Sequence, residues 1–256
     1  MKILVLGACS LLGAKVASNL RQLGYPVVTA SPGASIDADA DPRLAAALRG
    51  VEVLIDVREP PSPQAAGALG AFEASACRLN AAMAAAGVAH HIALSALGLL
   101  RMQGSAYYRA KAVQECMVQA GSTAYTIVRA APLYECLARW AQCSPAGVVL
   151  HVPVAAVQAM AAEDLAMVMA DAALAQPLGA CMDAAGPQRM GMADWMQQYL
   201  HLRGDPRSVV PDGDALYHGL RLEDGCLLPA GPARLGSTTL AAWVCKSGLL
   251  QSQSKA

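Results

Sequence analysis

Three residues in the middle of the chain have the types and the spacing for acid–base chemistry at a carbonyl group. Tyr107 and Lys111 stand four residues apart in "YYRAKAVQE", so they share one face of a predicted helix. A lysine ammonium near a phenol stabilises the phenolate, and the spacing therefore predicts a lowered pKa for Tyr107. Ser95 ends the predicted strand "HHIALSA", where its hydroxyl can bind the oxygen that the tyrosine protonates.

The position of this pair gives it more weight than the spacing alone. Tyr-x-x-x-Lys occurs by chance on many helix surfaces, but here it follows directly after a strand that ends in a serine. Tyr108 is the neighbouring alternative. It stands only three residues from Lys111, and we expect it to point elsewhere.

A second group of residues lies in the opening segment "KILVLGACSLLG", which joins a predicted buried strand to a predicted amphipathic helix. Such a turn gathers backbone N–H groups and the positive end of the helix dipole, which suits a pyrophosphate. Gly7 permits the tight turn, and Gly13 lets the helix pack closely on the sheet. Ser10 stands where a middle glycine is usual, and it either crowds the phosphate or offers it a hydroxyl donor. A glycine-bounded turn without a ligand is the alternative.

The elements that must position these groups alternate along the chain. Helical segments separate five predicted strands, which cover residues 2–7, 26–31, 51–57, 90–96 and 124–130. This order predicts right-handed crossovers and a doubly wound parallel sheet, an α/β fold. We predict one domain over residues 1–243, with a core at 1–131, an interleaved substrate-side extension at 132–243 and a polar tail at 244–256. Within the extension, 204–225 is predicted to form a turn-rich flap.

Composition and charge exclude several classes of function. The 256 residues carry 19 basic and 19 acidic side chains, so nothing favours nucleic acid or an anionic membrane as a partner. The apolar start is too short for a secretory signal, and we expect a cytoplasmic protein, monomeric or homodimeric, that binds a small molecule. Eight cysteines show no C-x-x-C pair, and no metal site is predicted. His90, His91, His151 and His218 have no acid partner in sight and are interpreted as structural.

The end of the second strand bears on the choice of nucleotide. Sites for NAD usually carry an acidic residue there, which binds the ribose 2′-hydroxyl. Here the strand continues as "VVTASPGAS", with Ser31 and Ser35 and no acid before Asp37. The absence of a repelling carboxylate favours NADP(H), while NAD(H) stays an alternative because no arginine is present to clamp a 2′-phosphate.

Taken in order, several segments resemble one protein family over about residues 1–243. They are "ILVLGACSLLG", "VVTASPG", "DPRLAAALRGVEVLIDV", "AAAGVAHHIALSALG", "YYRAKAVQE", "YTIVRAAPLYE", "AAEDLA", "DAAGPQ" and "RGDPR". The family is that of atypical short-chain dehydrogenases/reductases of the NmrA-like type, which are NAD(P)-binding proteins with a Rossmann-like fold. The chain departs from it at Cys9 and Ser10, where the family has Thr and Gly, and at Ala131 and Leu133, where bulkier or amide side chains are common.

The resemblance implies a dinucleotide held by the first turn and by the ends of the second, third and fourth strands. It implies Ser95, Tyr107 and Lys111 as catalytic residues, with Lys111 also bonding the nicotinamide ribose. The implied cofactor-binding residues are Gly7, Cys9, Ser10, Leu11, Leu12, Ser31, Ser35, Val57 and Lys111. The implied substrate pocket is formed by Ala131, Pro132, Leu133 and Tyr134.

Two functions follow as expectations from these residues. The first is an oxidoreductase that transfers a hydride from NAD(P)H to a small carbonyl, quinone or enone-like substrate. The second is an NmrA-like regulator or redox sensor that binds the dinucleotide without turnover. Tyr107 favours the enzyme, whereas the altered turn favours the regulator.

Overall fold

The strands of the protein are short, and those in the middle of the main sheet are largely buried. The computed structural model describes residues 1–30, 42–60, 68–144 and 149–248. In these ranges the strands are β1 (Ile3–Leu6), β2 (Val27–Ala30), β3 (Val53–Asp56), β4 (His90–Ala96), β5 (Tyr125–Ala130), β6 (Leu150–Pro153), β7 (Ala156–Val157), β8 (Ala180–Ala185), β9 (Met190–Gly191), β10 (Val209–Asp212) and β11 (Ala233–Leu235). The five strands predicted from the sequence correspond to β1 to β5.

Helices connect most of these strands. They are α1 (Leu11–Gln22), α2 (Pro42–Leu48), α3 (Ala68–Ala86), α4 (Ala106–Ala120), α5 (Tyr134–Cys143), α6 (Ala162–Leu174), α7 (Met192–Leu202) and α8 (Leu240–Lys246). No helix in the described ranges is long and apolar enough to cross a bilayer.

Seven strands form one parallel sheet in the order β2-β1-β3-β4-β5-β8-β11. The chain starts at β1, next to one edge of this sheet, passes to the edge strand β2 and returns through β3 to the other side. This reversal makes the sheet doubly wound, so the predicted Rossmann-like α/β fold is confirmed. Ligands of such sheets bind beyond the carboxyl ends of the strands, next to the point of reversal.

Side chains alternate along each buried strand and fill both faces of the sheet. In β1, Ile3 and Val5 pack under α1 and α6, while Leu4 and Leu6 pack under α2 and α3. Helix α4 covers the same face as α3, through Val118. Both faces of the sheet are therefore covered, which explains why the strands read as continuous apolar runs.

The predicted extension, 132–243, contributes to the sheet and also forms a layer of its own. It supplies β8 and β11, which extend the sheet beyond β5. Its other elements pack around an aromatic core of Tyr134, Trp195, Tyr199 and Trp243. Helix α8 overlaps the start of the predicted polar tail, and within it Val244 is buried.

A buried carboxylate fastens the end of this layer to α6. Asp164, in the first turn of α6, accepts bonds of 2.8 Å from both the backbone N–H and the hydroxyl of Thr238. Gly236 passes so close that a Cβ there would lie 2.3 Å from Oδ2 of Asp164. Asp164 thus holds the segment between β11 and α8.

We expect Asp164→Ala to lower the free energy of unfolding by about 1 to 3 kcal/mol, because two donors of Thr238 lose their acceptor. Urea denaturation measures this difference. The matched control is Glu163→Ala on the same helical turn, which removes only an exposed ion pair with Lys15 and should cost less than about 1 kcal/mol. Equal losses in the two variants would contradict the bracing role.

Candidate active site

The turn between β1 and α1 has the tight geometry that its two glycines predict. Gly7 has a φ of +94°, a backbone conformation that residues with a Cβ rarely adopt. A Cβ added to Gly13 would lie 2.4 Å from the carbonyl oxygen of Gly7 and 2.8 Å from the Cα of Ala8. The predicted local roles of Gly7 and Gly13 are confirmed, and α1 begins directly against the strand end.

Ser10 closes this turn from within. It is the N-cap of α1, and its hydroxyl oxygen accepts a 3.0 Å bond from the N–H of Gly13. The same hydroxyl donates to the carbonyl of Gly7 over 2.8 Å. The hydroxyl donor that the sequence offered to a phosphate is therefore engaged inside the turn. The N–H groups of Leu11 and Leu12 belong to the first turn of α1, and N–H groups there have no hydrogen-bond acceptor within the helix.

Lys111 lies at the centre of the candidate site and is completely buried. Its ammonium donates to the carbonyls of Arg58 and Leu94, over 3.0 and 3.1 Å, and to the side-chain oxygen of Gln114 over 3.3 Å. An ammonium has three N–H groups, so these acceptors use all of them. Lys111 therefore ties the residues after β3 to the end of β4. Its Nζ also lies 3.7 Å from the carboxylate of Glu59.

Tyr107 sits next to the same carboxylate, and this reverses the predicted shift of its pKa. Burial raises the pKa of Tyr107 well above the ordinary value of 10, and the charge of the nearby Glu59 raises it further. The prediction that Lys111 lowers the tyrosine pKa is wrong for this structure, because Glu59 lies beside both groups and the ammonium is already saturated. Tyr107 is accordingly a protonated phenol at neutral pH.

The flap, residues 204–225, covers Tyr107. The imidazole of His218 stacks on the phenol ring with centroids 4.7 Å apart, and it also meets the edge of Tyr108. His218 has a φ of +49°, a left-handed conformation that is uncommon outside glycine. His218, which is interpreted from the sequence as structural, thus contacts Tyr107 directly. Tyr108 is buried, unlike Tyr107, and burial is the main cause that raises its pKa above the ordinary value.

Ser95 lies at the end of β4 with its side chain buried. Its Oγ finds no hydrogen-bond partner among the residues that the structure describes. Such an orphaned hydroxyl is costly in a folded interior unless something pairs with it. The carbonyl of Leu94, the residue before Ser95, accepts a hydrogen bond from Lys111. Ser95 therefore lies next to helix α4, which carries Tyr107 and Lys111.

A buried ion pair anchors the segment after β3. Arg58 donates to both carboxylate oxygens of Asp56, over 2.8 and 2.7 Å, and to the hydroxyl of Ser75. Burial by itself raises the pKa of Asp56, but the charge and hydrogen bonds of Arg58 outweigh it and hold the pKa below its usual value. His91 lies close by, and burial lowers its pKa to about 4. Asp56, Arg58 and neutral His91 form the floor of the site.

The other residues predicted to bind the cofactor lie at different places in the structure. Val57 is buried, and its backbone lies 3.1 Å from the position of a Gly7 Cβ, so it borders the turn. Cys9 is exposed at the turn. Ser31 and Ser35 lie outside the described residues.

The predicted pocket residues lead from β5 into α5. Pro132 and Leu133 are partly exposed, whereas Ala131 is buried and bonded through its N–H to β8. Tyr134 is a core residue rather than an open pocket wall. Its ring packs against Trp195 and Trp243, and its hydroxyl donates to the carbonyl of Thr238. Burial raises its pKa to about 12.

Two important residues, Glu59 and His218, were missed by the sequence reasoning. Neither belongs to a motif, and each meets Tyr107 only through long-range folding. The one available signal for Glu59 was its position two residues beyond a predicted strand end, where ligands of open sheets gather. No group of three or more potential metal ligands was found among the described residues.

Solved structures with the same fold are found at low sequence identity. The enzyme WbmG of Bordetella bronchiseptica, in complex with NAD and UDP, has a TM-score of 0.72 at 12% identity, over 96% of this chain and 94% of that one. A short-chain dehydrogenase/reductase superfamily protein from Agrobacterium tumefaciens with bound NAD has a TM-score of 0.67 at 14%, over 99% and 93%.

A third example is the UDP-glucose 4-epimerase of Thermus thermophilus in complex with NAD, with a TM-score of 0.65 at 13% identity, over 100% of this chain and 95% of that one. No protein-family model and no curated protein sequence matches the chain. These similarities show a shared fold.

Proposed function

We propose that the protein binds a nicotinamide dinucleotide at the turn 7–13 and reduces a small carbonyl, quinone or enone-like compound by hydride transfer. The observation that carries this proposal is the pairing of that turn with a protonated tyrosine at the carboxyl edge of the same sheet. The solved structures with this fold that hold NAD support it. The NmrA-like type rests on the sequence resemblance alone.

The residues of the site fit such a cofactor. The amides of Leu11 and Leu12 at the start of α1 are donors suited to a pyrophosphate. The buried hydroxyl of Ser95 needs a partner that the described protein does not supply, and a substrate oxygen is a suitable one. Ser31, Ser35 and Val57 remain the proposed neighbours of the adenosine ribose. The absence of an acid before Asp37 is our reason for proposing NADP(H) over NAD(H).

The chain itself contributes orientation and a proton. When bound, the cofactor supplies the hydride. Ser95 donates a hydrogen bond to the substrate oxygen, and Tyr107 gives that oxygen its proton. Lys111 acts as a positioning residue, because its three bonds fix the end of β4 and the segment after β3.

A second function is favoured by one specific observation. The ring of Tyr107 is covered by the stacked imidazole of His218, and such a closed arrangement suits a protein that binds a dinucleotide without turnover. One experiment distinguishes the enzyme from the regulator. Purified protein is mixed with NADPH and with aldehydes, quinones, enones or nucleotide sugars, and the absorbance of NADPH is followed. The enzyme oxidises NADPH with some of these compounds. Binding of NADPH without oxidation in any mixture would favour the regulator.

The role of Ser10 is tested by replacing it with glycine. We expect Ser10→Gly to tighten NADPH binding by up to roughly tenfold, because the N–H of Gly13 is released and becomes available to the pyrophosphate. The loss of the cap should cost only a few tenths of a kcal/mol in stability. Isothermal titration calorimetry gives the dissociation constant. Weaker binding by the variant would mean that the hydroxyl leaves Gly7 and contacts the phosphate.

A further inference from the structure

The tip of the flap is a tight turn that places an imidazole on Tyr107. The N–H of Tyr217 donates to the carbonyl of Leu220 over 2.8 Å, and the N–H of Leu220 donates back over 3.1 Å. Between them, His218 and Gly219 have φ values of +49° and +82°. Two positive φ values inside such a reciprocal pair are typical of a type I′ hairpin turn, which usually contains Asn-Gly, Asp-Gly or Gly-Gly. His218 therefore stands where the backbone alone favours asparagine, aspartate or glycine.

Contacts other than the imidazole dock this turn on the protein. Leu220 packs against the segment just before α4, where a Cβ added to Gly104 would lie 2.7 Å from the leucine Cδ2. Tyr217 packs against Trp140 of α5, with ring centroids 6.3 Å apart. Leu220 and Tyr217 also border the apolar core of the extension, whereas His218 is exposed. The turn is thus docked by its neighbours, and the imidazole is not needed to hold it.

The ring of Tyr107 is held by two other rings from different directions. Tyr107 is the second residue of α4 and is partly exposed, so no preceding helical turn confines its side chain. The imidazole of His218 lies nearly parallel to the phenol, with centroids 4.7 Å apart and 25° between the planes. Tyr108 meets the phenol at 81° over 5.2 Å. Together the two rings restrict rotation about the side-chain torsions of Tyr107. Of these two contacts, the stack with His218 comes from outside α4.

We propose that His218 is a positioning residue that fixes the phenol of Tyr107 by stacking on its ring, which makes the flap a working part of the site. This role rests on the proposed oxidoreductase function, because proton transfer depends on where the hydroxyl lies relative to the substrate oxygen. A misplacement of about 1 Å in a reacting group can cost roughly 100-fold in rate. A histidine at a turn position that favours asparagine supports the proposal, since departures from local preference concentrate at functional sites.

The test uses His218→Asn, His218→Phe and the control His201→Asn. Asparagine tolerates the left-handed backbone of the turn but has no ring to stack on Tyr107. We expect His218→Asn to lower kcat by about tenfold to a hundredfold, with little change in the KM for NADPH and in the midpoint of urea denaturation. His218→Phe keeps a planar ring and should retain most of the wild-type rate. His201 is an exposed histidine of α7, and its variant should match the wild type.

A second readout does not depend on activity. In protein labelled with 13C in the tyrosine rings, the Tyr107 signals are those that Tyr107→Phe removes. Without nucleotide, the stacked imidazole of His218 shields the ring protons of Tyr107. His218→Asn should therefore move these signals to lower field, whereas His218→Phe should keep them shielded and His201→Asn should leave them unchanged.

The outcomes separate this proposal from the proposed function. An active wild type with an equally active His218→Asn variant, or unchanged Tyr107 signals in that variant, would overturn the positioning role and leave the oxidoreductase standing. A His218→Phe variant as slow as His218→Asn would overturn it as well, because the imidazole would then act by other means than stacking. Loss of stability together with rate in His218→Asn would show a structural role instead. A wild type that binds NADPH but oxidises it with no compound in the panel would overturn both proposals.

Discussion

Tyr107→Phe is expected to reduce kcat by about 10²- to 10⁴-fold while the protein binds NADPH as tightly as before. The substitution removes one oxygen atom, and with it the proton that the substrate oxygen receives. The ring stays in place because its stacking on His218 and its edge contact with Tyr108 do not need the hydroxyl. Steady-state oxidation of NADPH and a calorimetric titration measure the two quantities.

The neighbouring tyrosine provides the matched control. Tyr108→Phe also removes the hydroxyl of a buried tyrosine on the same helix. It should lower stability without a comparable loss of kcat. Because burial and Glu59 raise the pKa of Tyr107, the phenol stays protonated below that pKa, and reduction should not fail as the pH rises through neutrality. Full activity of Tyr107→Phe would remove the tyrosine from the mechanism.

Gly13→Ala is expected to abolish measurable NADPH binding and to lower the free energy of unfolding by about 1 to 3 kcal/mol. The new Cβ would lie 2.4 Å from a carbonyl oxygen and 2.8 Å from a Cα, and neither backbone atom can rotate away. Helix α1 must therefore shift from the strand end, and the amides of Leu11 and Leu12 move with it. Calorimetry with NADPH and urea denaturation measure the two effects.

The control for this substitution is Gly70→Ala on α3. Gly70 is exposed, and a Cβ there meets no atom of the described residues within 4 Å. Alanine favours a helix over glycine, so this variant should be as stable as the wild type or slightly more stable. Its NADPH binding should be unchanged. If Gly13→Ala bound NADPH normally, the turn would not be the phosphate site.

The fold was predictable because its signals are local. The buried strand 3–6, the glycine turn and the amphipathic helix that follows are each specified within a few residues. Alternation of such units allows few topologies besides a doubly wound parallel sheet. The strained turn at Gly7 and the close packing at Gly13 followed from the same local pattern.

The site was only partly predictable, because its decisive contacts are long-range. The spacing of Tyr107 and Lys111 fixed their common helix face, but it gave no information on the carbonyls that saturate the ammonium. Glu59 and His218 come from a loop and from the flap, and their effect on Tyr107 exists only in the folded chain. The sign of the tyrosine pKa shift was therefore predicted incorrectly. The cap made by Ser10 was predictable from local sequence, because a serine directly before a helix is a common N-cap.

Calorimetric titration of the purified protein with NADPH and with NADH tests the central claim most directly, because both proposed functions require a dinucleotide at the turn 7–13. The expected result is one binding site for each nucleotide, tighter binding of NADPH than of NADH, and no binding of either by Gly13→Ala. Absence of binding by the wild type with both nucleotides, under conditions where the protein is folded, would contradict the account.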